Sequence, residues 1–337
     1  MRSLSVFAQG IEALSRIIQE HLQVIPFKSK LMKVAITGAT GFVGSRLVER
    51  LSATGHQVLV FSRNSDKAQR VFPKSAYPQL EIVSYTPTQP GSWQDAIAGC
   101  DGVVNLAGAA LADERWTPER KQEIINSRVK LTENIVSAIV NANPKPTVLV
   151  NASAVGYYGT SETATFDETS PSGEDFLAEV CQRWEAAANK VKDSETRLVI
   201  IRIGIVMGMG GALEKMLTPF KLFAGGPLGD GNQWFSWVHR DDLVNLIIHS
   251  LTHPEIEGVF NGTAPNPVRM KEFCQSLGQV INRPSWLPVP AFALEAILGD
   301  AAKLVLEGQQ VLPKKTQQTG FEYKYPQLEP ALREILG

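Results

Sequence analysis

The sequence predicts an α/β fold, in which a doubly wound parallel sheet is followed by a smaller C-terminal α/β lobe. Two observations support this prediction. From Met32 onwards, short apolar segments alternate with helical patterns, as they do where crossover helices join parallel strands. In addition, a glycine-rich turn at 38–44 joins the first apolar segment to the first helical pattern, as in a tight βαβ unit.

Each predicted strand is a short apolar run. The strands lie at 33–37, 57–62, 80–84, 102–106, 147–152 and 198–203. Apolar residues at helical spacing predict helices near 42–54, 92–98, 117–142 and 175–192. Buried strands joined by crossovers of this length favour parallel order, with helices on both faces of the sheet.

The chain changes in character after Gly208. Glycine-rich loops surround a predicted helix at 212–223, and a helix at 241–252 and a strand at 258–262 predict a return to the main sheet. The predicted organisation has an N-terminal extension, a sheet domain, and a small lobe that holds a substrate or a partner. These parts are 1–31, then 32–208 with 236–265 returning to it, and finally 209–235 with 266–337.

The turn after the first strand carries three glycines at three-residue intervals. Gly38 allows a sharp turn, Gly41 lets the backbone approach a pyrophosphate, and Gly44 lets the helix pack on the sheet. The unpaired N–H groups of the first helical turn suit phosphate oxygens. An ordinary strand-to-helix turn is the alternative, but a second strand about 20 residues later completes the βαβ unit. We therefore predict a Rossmann-like domain that binds a dinucleotide through Gly38, Thr40, Gly41, Phe42, Val43 and Gly44.

The end of the second strand indicates which dinucleotide is bound. It reads Phe61-Ser62-Arg63-Asn64, without the Asp or Glu that often holds the adenine ribose of NAD. Arg63 can instead hold a 2′-phosphate with its planar set of donors, and Ser62 can add a hydroxyl donor. This strand end favours NADP(H) as the cofactor, with a solvated surface arginine as the alternative for Arg63.

Composition argues against several classes of function. A net charge of −1 over 337 residues, without a basic stripe, gives no reason to expect nucleic acid. The cysteines (Cys100, Cys181 and Cys274) and the five histidines have no metal-ligand spacing, so we expect free thiols, a reducing compartment and no metal. No apolar run approaches the ~20 residues that span a bilayer. We therefore expect a cytoplasmic protein.

The first 31 residues carry an apolar stripe at helical spacing, and four basic residues against two acidic ones leave them at +2. The stripe consists of Phe7, Ile11, Leu14, Ile18, Leu22 and Ile25. Such a helix can lie on a membrane surface or on a partner protein. A helix docked on its own domain, or an extension added by an upstream start codon, are the alternatives.

Motifs beyond the glycine turn resemble those of a known group of proteins. They lie at 105–108, 151–159, 202–208 and 237–242. In this order they are similar to the NNAG-like, SSxxVYG, RxxNVYG and FVHVDD segments of extended short-chain dehydrogenase/reductases, the group that includes nucleotide-sugar epimerases. The resemblance covers 32–337 and implies the Rossmann-like core that the glycine turn predicts.

A closer resemblance lies in Arg115-Trp116-Thr117, Ser127-Arg128, 153–159 and 231–239. These segments are similar to an atypical family of the NAD-dependent epimerase/dehydratase type, the "epimerase family", whose bacterial members are often labelled SulA-like cell-division inhibitors. The tail resembles that family's C-terminal domain of unknown function. The resemblance implies an NADP-binding core. Because plant relatives are associated with plastid division, it also implies a role in cell or plastid division.

The resemblance implies further cofactor contacts at the turn after the fourth strand, and Arg128 is a candidate on the helix that follows. Arg128 takes the place of an Asn that these folds often carry. An arginine there can reach a phosphate or an acidic substrate, or it can form a salt bridge at the surface. The turn residues are Asn105, Leu106, Ala107 and Gly108.

The active-site pattern of the group is broken in this chain. Working members use a Tyr as general acid/base and a Lys four residues later on the same helix face. The matching positions hold Leu177 and Cys181. Ser153 is the best retained residue of catalytic type, and Tyr157 and Cys181 are the other candidates for proton transfer. Tyr157 can instead pack as the usual Tyr of its segment, and Cys181 as a small core residue.

Two functions from different classes fit these observations. The first is an NADP(H)-binding regulatory protein of cell or plastid division, in the cytoplasm or the plastid stroma and peripheral at the inner membrane face. Its partner would be a membrane surface or a division protein, bound through 1–31. The alternative is an NADP-dependent oxidoreductase or epimerase that acts on an unknown small substrate, with Ser153 and a non-standard acid. The missing Tyr and Lys favour the first.

Overall fold

A seven-stranded parallel sheet forms the centre of the described part of the chain, residues 31–337 of this computed structural model. Four of its six neighbouring strand pairs are in register over five or more residues. The strands of the chain are β1 (Lys33–Thr37), β2 (Gln57–Ser62), β3 (Leu80–Ser84), β4 (Gly102–Asn105), β5 (Val148–Ala154), β6 (Thr165–Phe166), β7 (Arg197–Ile203), β8 (Ile205–Met207), β9 (Trp234–Phe235), β10 (Trp237–His239), β11 (Gly258–Gly262), β12 (Val268–Arg269) and β13 (Gln310–Val311).

Helices connect the strands. The α-helices are α1 (Phe42–Ala53), α2 (Ser65–Val71), α3 (Pro118–Asn141), α4 (Phe176–Asn189), α5 (Gly211–Lys221), α6 (Arg240–Thr252), α7 (Met270–Ile281), α8 (Ala291–Leu298), α9 (Lys303–Leu306), α10 (Lys314–Gln318) and α11 (Leu328–Leu336). Short 3-10 helices occupy Ser92–Ile97, Val155–Tyr158, Lys190–Asp193 and Gly299–Ala302. No helix within 31–337 is long and apolar enough to cross a membrane.

The strand order in the sheet is β11-β7-β5-β4-β1-β2-β3, with parallel pairing throughout. Val34 of β1 pairs with Val58 of β2 on one side and with Gly102 of β4 on the other. The chain therefore winds outwards in one direction from β1 and in the opposite direction from β4. The crevice at the carboxyl ends of these two strands is where ligands bind in such sheets.

Apolar clusters hold helices to both faces of the sheet. On one face, Leu47 and Leu51 of α1 and Ile247 of α6 pack with Ile36 of β1. On the other face, Ile135 of α3 is fully buried in a second cluster. Burying a side chain of this size stabilises the fold by roughly 1.5–3 kcal/mol. The alternation of the strand side chains between the two clusters explains why β1 reads as continuously apolar.

An ion pair joins α1 to α6. Arg46 donates two hydrogen bonds of 2.8 Å to the Asp241 carboxylate, which is buried. His239 accepts a hydrogen bond from the backbone N–H of Asp241 and so caps α6. The bond to Arg46 lowers the pKa of Asp241. These contacts fix the segment after β10 against the helix that follows the glycine turn.

The structure confirms the predicted α/β class and the predicted sheet strands, whose boundaries agree with the prediction or differ from it by one or two residues. The segment predicted as a helix at 92–98 is a 3-10 helix, and the one predicted at 175–192 divides into α4 and a 3-10 helix. Helix α2 was not predicted. Neither were the short strand pairs β8 with β10, β9 with β12, and β6 with β13.

Residues 32–337 form one compact unit, and within it an apolar cluster joins side chains of the predicted small lobe to Met207 and Trp237. Helices α7 and α11 pack together there, with Phe273 and Leu332 fully buried. Strand β11 returns to the main sheet, where it pairs with β7 along its full length. Residues 1–30 of the predicted extension at 1–31 lie outside the described residues.

Candidate cofactor site and adjoining cavity

The glycine turn is built so that side chains would not fit. Gly38 has a φ of +71°, and a Cβ there would lie 2.8 Å from the carbonyl carbon of Leu106. A Cβ on Gly44 would overlap the carbonyl oxygen of Gly38, and one on Gly41 would lie 3.1 Å from the same atom. The turn thus brings the ends of β1 and β4 together, and it leaves room for a ligand at the backbone.

Helix α1 begins without a capping side chain. Gly41 is its N-cap residue, and its first turn has no acidic residue. The N–H groups of Phe42, Val43 and Gly44 therefore face the crevice at the positive end of the helix, which suits an anion. Phe42 and Val43 are half-buried, as is Thr40 before them.

Arg240 lies beside the start of α1 and was not predicted as a site residue. Its guanidinium lies 4.9 Å from the centre of the Phe42 ring, and its side chain packs beside Gly208. Its Nε is buried and has no hydrogen-bond partner among the described residues. Its position directly after His239, inside the motif at 237–242, is the feature of the sequence that points to it.

At the end of β2, Ser62 bonds to the backbone of the turn, whereas Arg63 faces solvent. The Ser62 hydroxyl donates to the carbonyl oxygen of Asn64 over 2.8 Å, and Asn64 caps α2 by accepting from the N–H of Lys67. Arg63 is exposed, and within 31–337 no carboxylate pairs with it. The geometry therefore makes Ser62 part of the turn and presents Arg63 as the cation at the edge of the crevice.

A buried polar network ties the ends of the central strands together. Thr37 donates to the Asn105 side-chain carbonyl over 2.7 Å, and the Asn105 amide donates to Thr132 and to Asn151 over 2.9 and 2.7 Å. Both functional groups of Asn105 are occupied in this way. Its side chain therefore holds the strand ends before the turn 106–108 together, and its direct contact with the cofactor stays a prediction.

A cavity of about 350 Å³ adjoins this turn, beyond the carboxyl ends of β5 and β7. Leu106 belongs to its wall, whereas the residues of the glycine turn do not. Most of the wall is apolar, and the segment 303–309 of the small lobe forms one side. The apolar side chains are those of Leu106, Leu111, Val155, Leu177, Val180, Trp184, Ile203, Ile205, Trp234 and Leu304.

The positions of the expected Tyr and Lys both face this cavity. Leu177 and Cys181 lie in its wall, one turn apart on α4. The Cys181 thiol donates to the carbonyl oxygen of Ala154 over 3.6 Å, and burial raises its pKa to about 11. At neutral pH it is therefore a neutral thiol.

Ser153 also lines the cavity, but its hydroxyl is engaged. It donates to the Glu185 carboxylate over 2.7 Å. Arg202 donates two hydrogen bonds of 2.8 Å to the same carboxylate, and both partners are buried. The pair of Glu185 and Arg202 was not predicted as part of the site.

The two tyrosines after β5 surround Arg202. Its guanidinium lies 3.3 Å from the centre of the Tyr157 ring, and its Nη1 donates to the Tyr158 hydroxyl over 3.1 Å. Tyr158 in turn donates to Asn261 over 2.7 Å, and burial raises its pKa to about 12. Tyr157 is half-buried and does not line the cavity. The structure therefore places Tyr157 with the Arg202 network, as a stacking partner.

Arg128 lies in the cavity wall between Gly108 and Trp184. A Cβ on Gly108 would lie 3.0 Å from its Cζ, and the Trp184 ring centre is 5.3 Å from that atom. Its guanidinium donates to the carbonyl oxygens of Ala109 and Ile124. Burial lowers its pKa to about 10. None of the described carboxylates forms an ion pair with it, so the surface salt bridge considered from the sequence is not found among residues 31–337.

Comparisons with known proteins agree with this architecture. The NAD dependent epimerase/dehydratase family matches residues 34–261, and a domain of unknown function (DUF1731) matches residues 289–335. The latter match covers the segment that closes one side of the cavity. An Arabidopsis thaliana relative, "Epimerase family protein SDR39U1 homolog, chloroplastic", is 53% identical over 312 residues, which are 92% of this chain and 88% of that one.

Bacterial and human proteins are also similar to this chain. The Bacillus subtilis epimerase family protein YfhF is 39% identical over 91% of this chain and 98% of its own length. The crystal structure of the human epimerase family protein SDR39U1 (isoform2) with NADPH has a TM-score of 0.79 at 36% identity, over 90% of this chain and 99% of that one. With the glycine turn, the β4 turn and the C-terminal segment all in the expected places, this chain belongs to the epimerase family of the NAD dependent epimerase/dehydratase group.

Proposed function

We propose that this chain is an NADP(H)-binding regulatory protein of the epimerase family, which holds its cofactor without the usual proton-transfer pair. The residues of the site fit this cofactor, because the glycine turn leaves room for a ligand at the backbone and α1 begins without a capping side chain. Gly41, Phe42 and Val43 would hold the pyrophosphate, and Arg63 would hold the 2′-phosphate. Bound NADPH would supply a hydride donor.

The observation that supports a regulatory role is the chemistry of α4. This helix contains neither Tyr nor Lys, and Leu177 and Cys181 occupy the cavity wall in their place. Leu177 cannot transfer a proton, and the raised pKa of Cys181 keeps its thiol neutral. A protein that signals through a bound nucleotide needs the binding site alone.

An oxidoreductase or epimerase is the second candidate, because Ser153 lines a cavity of the size that takes small ligands. Ser153 would then orient the substrate oxygen. Against this, its hydroxyl proton is already donated to Glu185. A catalytic Ser153 would have to exchange this bond for one to the substrate.

Turnover assays separate the two functions. The full chain is mixed with NADPH and a broad panel of carbonyl compounds and nucleotide sugars, and NADPH binding and oxidation are followed by fluorescence. We expect binding without oxidation above the uncatalysed rate. Oxidation that is lost in Ser153→Ala but kept in Ser236→Ala would establish the enzyme instead. Ser236 is a matched control, because it is equally buried in the same cavity wall and donates to Gln309.

The regulatory proposal extends to cell or plastid division, with a membrane surface or a division protein bound through 1–31, in the cytoplasm or the plastid stroma. The +2 charge and apolar stripe of this segment support it. The full chain should float with vesicles that contain anionic lipid, and a chain without 1–31 should stay behind while NADPH binding is unchanged. Equal flotation of both chains, or none of the full chain, would remove the membrane from the proposal.

A further inference from the structure

Arg128 is a fixed cation in a mostly apolar wall. Gly108 and Trp184 hold its guanidinium from two sides, and the carbonyl oxygens of Ala109 and Ile124 accept two of its N–H groups. Its remaining N–H groups have no carboxylate to bond among residues 31–337. A partly buried charge without a counter-charge is costly, so such an arginine suits an anionic ligand.

The two acidic side chains in the cavity wall accept hydrogen bonds from other parts of the protein. Asp175 accepts from the N–H of Ala178 and caps α4, and Glu307 accepts from the Thr160 hydroxyl. Lys303 is exposed at the small-lobe side. Arg128 is therefore the only half-buried cation, fixed by its neighbours, in the described wall of this cavity.

We propose that the cavity binds a small organic carboxylate with an apolar body, and that Arg128 holds the carboxylate group. This proposal names the ligand class of the cavity beside the proposed NADP(H) site, and so rests on the proposed function. The remaining N–H groups of the guanidinium suit the two oxygens of a monoanion. A phosphate dianion would face the Asp175 and Glu307 carboxylates in the same wall. The volume of about 350 Å³ and the leucine, isoleucine and tryptophan side chains favour a small apolar body.

The cavity does not include the glycine turn at 38–44, where the pyrophosphate would bind. Its wall includes Ser153, Leu177 and Cys181. The acid group would thus sit beside Gly108, whereas the glycine turn lies against Leu106. Arg128 would then discriminate between ligands and leave the affinity for NADPH unchanged.

Isothermal titration of the full chain, with and without NADPH, tests this assignment. The probes are 3-phenylpropanoate and octanoate, each paired with its primary amide, and phenethyl phosphate as a dianion. We expect at least one acid to bind and its amide to bind roughly tenfold to a hundredfold more weakly, because a charge-assisted hydrogen bond is lost. Phenethyl phosphate should bind more weakly than the matching acid. Equal binding of acid and amide, stronger binding of the phosphate, or no binding of either acid overturns the proposal.

Two variants sharpen the result. Arg128→Met should weaken binding of the acid by the same factor and leave the binding of the amide and of NADPH unchanged. Arg183→Met, the same change at an exposed ion pair on α4, should alter none of them. A loss of NADPH affinity in Arg128→Met, with the protein folded by circular dichroism, would make Arg128 a cofactor ligand and overturn the assignment. If NADPH fails to bind the wild-type chain, the proposed function fails, whereas the acid and amide comparison without cofactor still decides the carboxylate site.

Discussion

The Ser153 hydroxyl donates a 2.7 Å hydrogen bond to the Glu185 carboxylate, in the wall of the cavity beside the proposed cofactor site. Glu185 is also the partner of Arg202, so the candidate catalytic serine is one donor in a buried ionic network. The network joins β5, α4 and β7 below the cavity. The position that orients a substrate in working reductases therefore contributes to the fold here.

The first prediction concerns the stability of this network. Glu185→Gln removes the charge that balances the buried Arg202 and should destabilise the protein by about 3–5 kcal/mol. Ser153→Ala removes a single hydrogen bond and should cost about 0.5–1.5 kcal/mol. Urea unfolding monitored by circular dichroism measures both. If Glu185→Gln is as stable as the wild type, the network does not hold the fold as described.

The second prediction concerns the cofactor phosphate. Arg63→Ala should weaken the binding of NADPH by about 1.5–3 kcal/mol, because a charge-assisted hydrogen bond is lost. The binding of NADH should be nearly unchanged. Fluorescence titration with both cofactors measures the difference. Arg70→Ala is a matched control, because Arg70 is equally exposed on α2 and bonds to the Asp66 backbone. Equal losses for NADPH and NADH would reject the role of Arg63.

The third prediction separates two glycines of the turn. Gly44→Ala should destabilise the fold by about 1–3 kcal/mol and abolish NADPH binding, because its Cβ would overlap the Gly38 carbonyl oxygen. Gly41→Ala leaves its Cβ 3.1 Å from the same atom, so it should weaken NADPH binding with a smaller loss of stability. Thermal unfolding and NADPH titration test both variants. A fully stable Gly44→Ala protein would contradict the packing described for α1.

The fourth prediction concerns pH. Burial raises the pKa of Cys181 and of Cys100 from the ordinary value of 9.0 to about 11. Folding thus favours the protonated thiols, and their contribution to stability is fully present below pH 9 and is lost as the pH rises to about 11. The loss should be on the order of 1–3 kcal/mol for each thiol.

Urea unfolding at pH 8, 9, 10 and 11 measures this dependence, with Cys181→Ala as the control that lacks one of the thiols. Reaction of Cys181 with a maleimide at pH 7 should also be slow, because its thiol is neutral and buried. Rapid labelling of Cys181 in the folded protein would show an ionised, accessible thiol. That outcome would restore it as a candidate for proton transfer.

The sheet could be predicted from sequence because each of its central strands is buried on both faces and reads as an apolar run. Helix α2 could not, because seven residues such as 65–71 carry too little periodicity to separate a helix from a loop. The pairs β8 with β10 and β9 with β12 involve two or three residues each. Their pairing depends on the small lobe and not on local pattern.

The candidate site could be predicted in part. Leu177 and Cys181 follow from their spacing on one helix, and the structure brings both to the cavity. The bond between Glu185 and Arg202 could not be predicted, because it joins α4 to β7 across 17 residues and depends on how the helix packs on the sheet. The same holds for the lack of a counter-charge at Arg128, since only the fold decides which carboxylates come near a side chain.

The cofactor is proposed to bind beside a cavity whose wall holds Leu177 and Cys181 in place of the Tyr and Lys that transfer the proton in working reductases. Single-turnover fluorescence, with the full chain in excess over NADPH and the carbonyl and nucleotide-sugar panel added, tests this proposal most directly. We predict tight binding of NADPH, with its fluorescence stable over hours at pH 6 to 8. Decay that needs a panel compound, and that is lost in Ser153→Ala, would contradict the claim and establish catalysis.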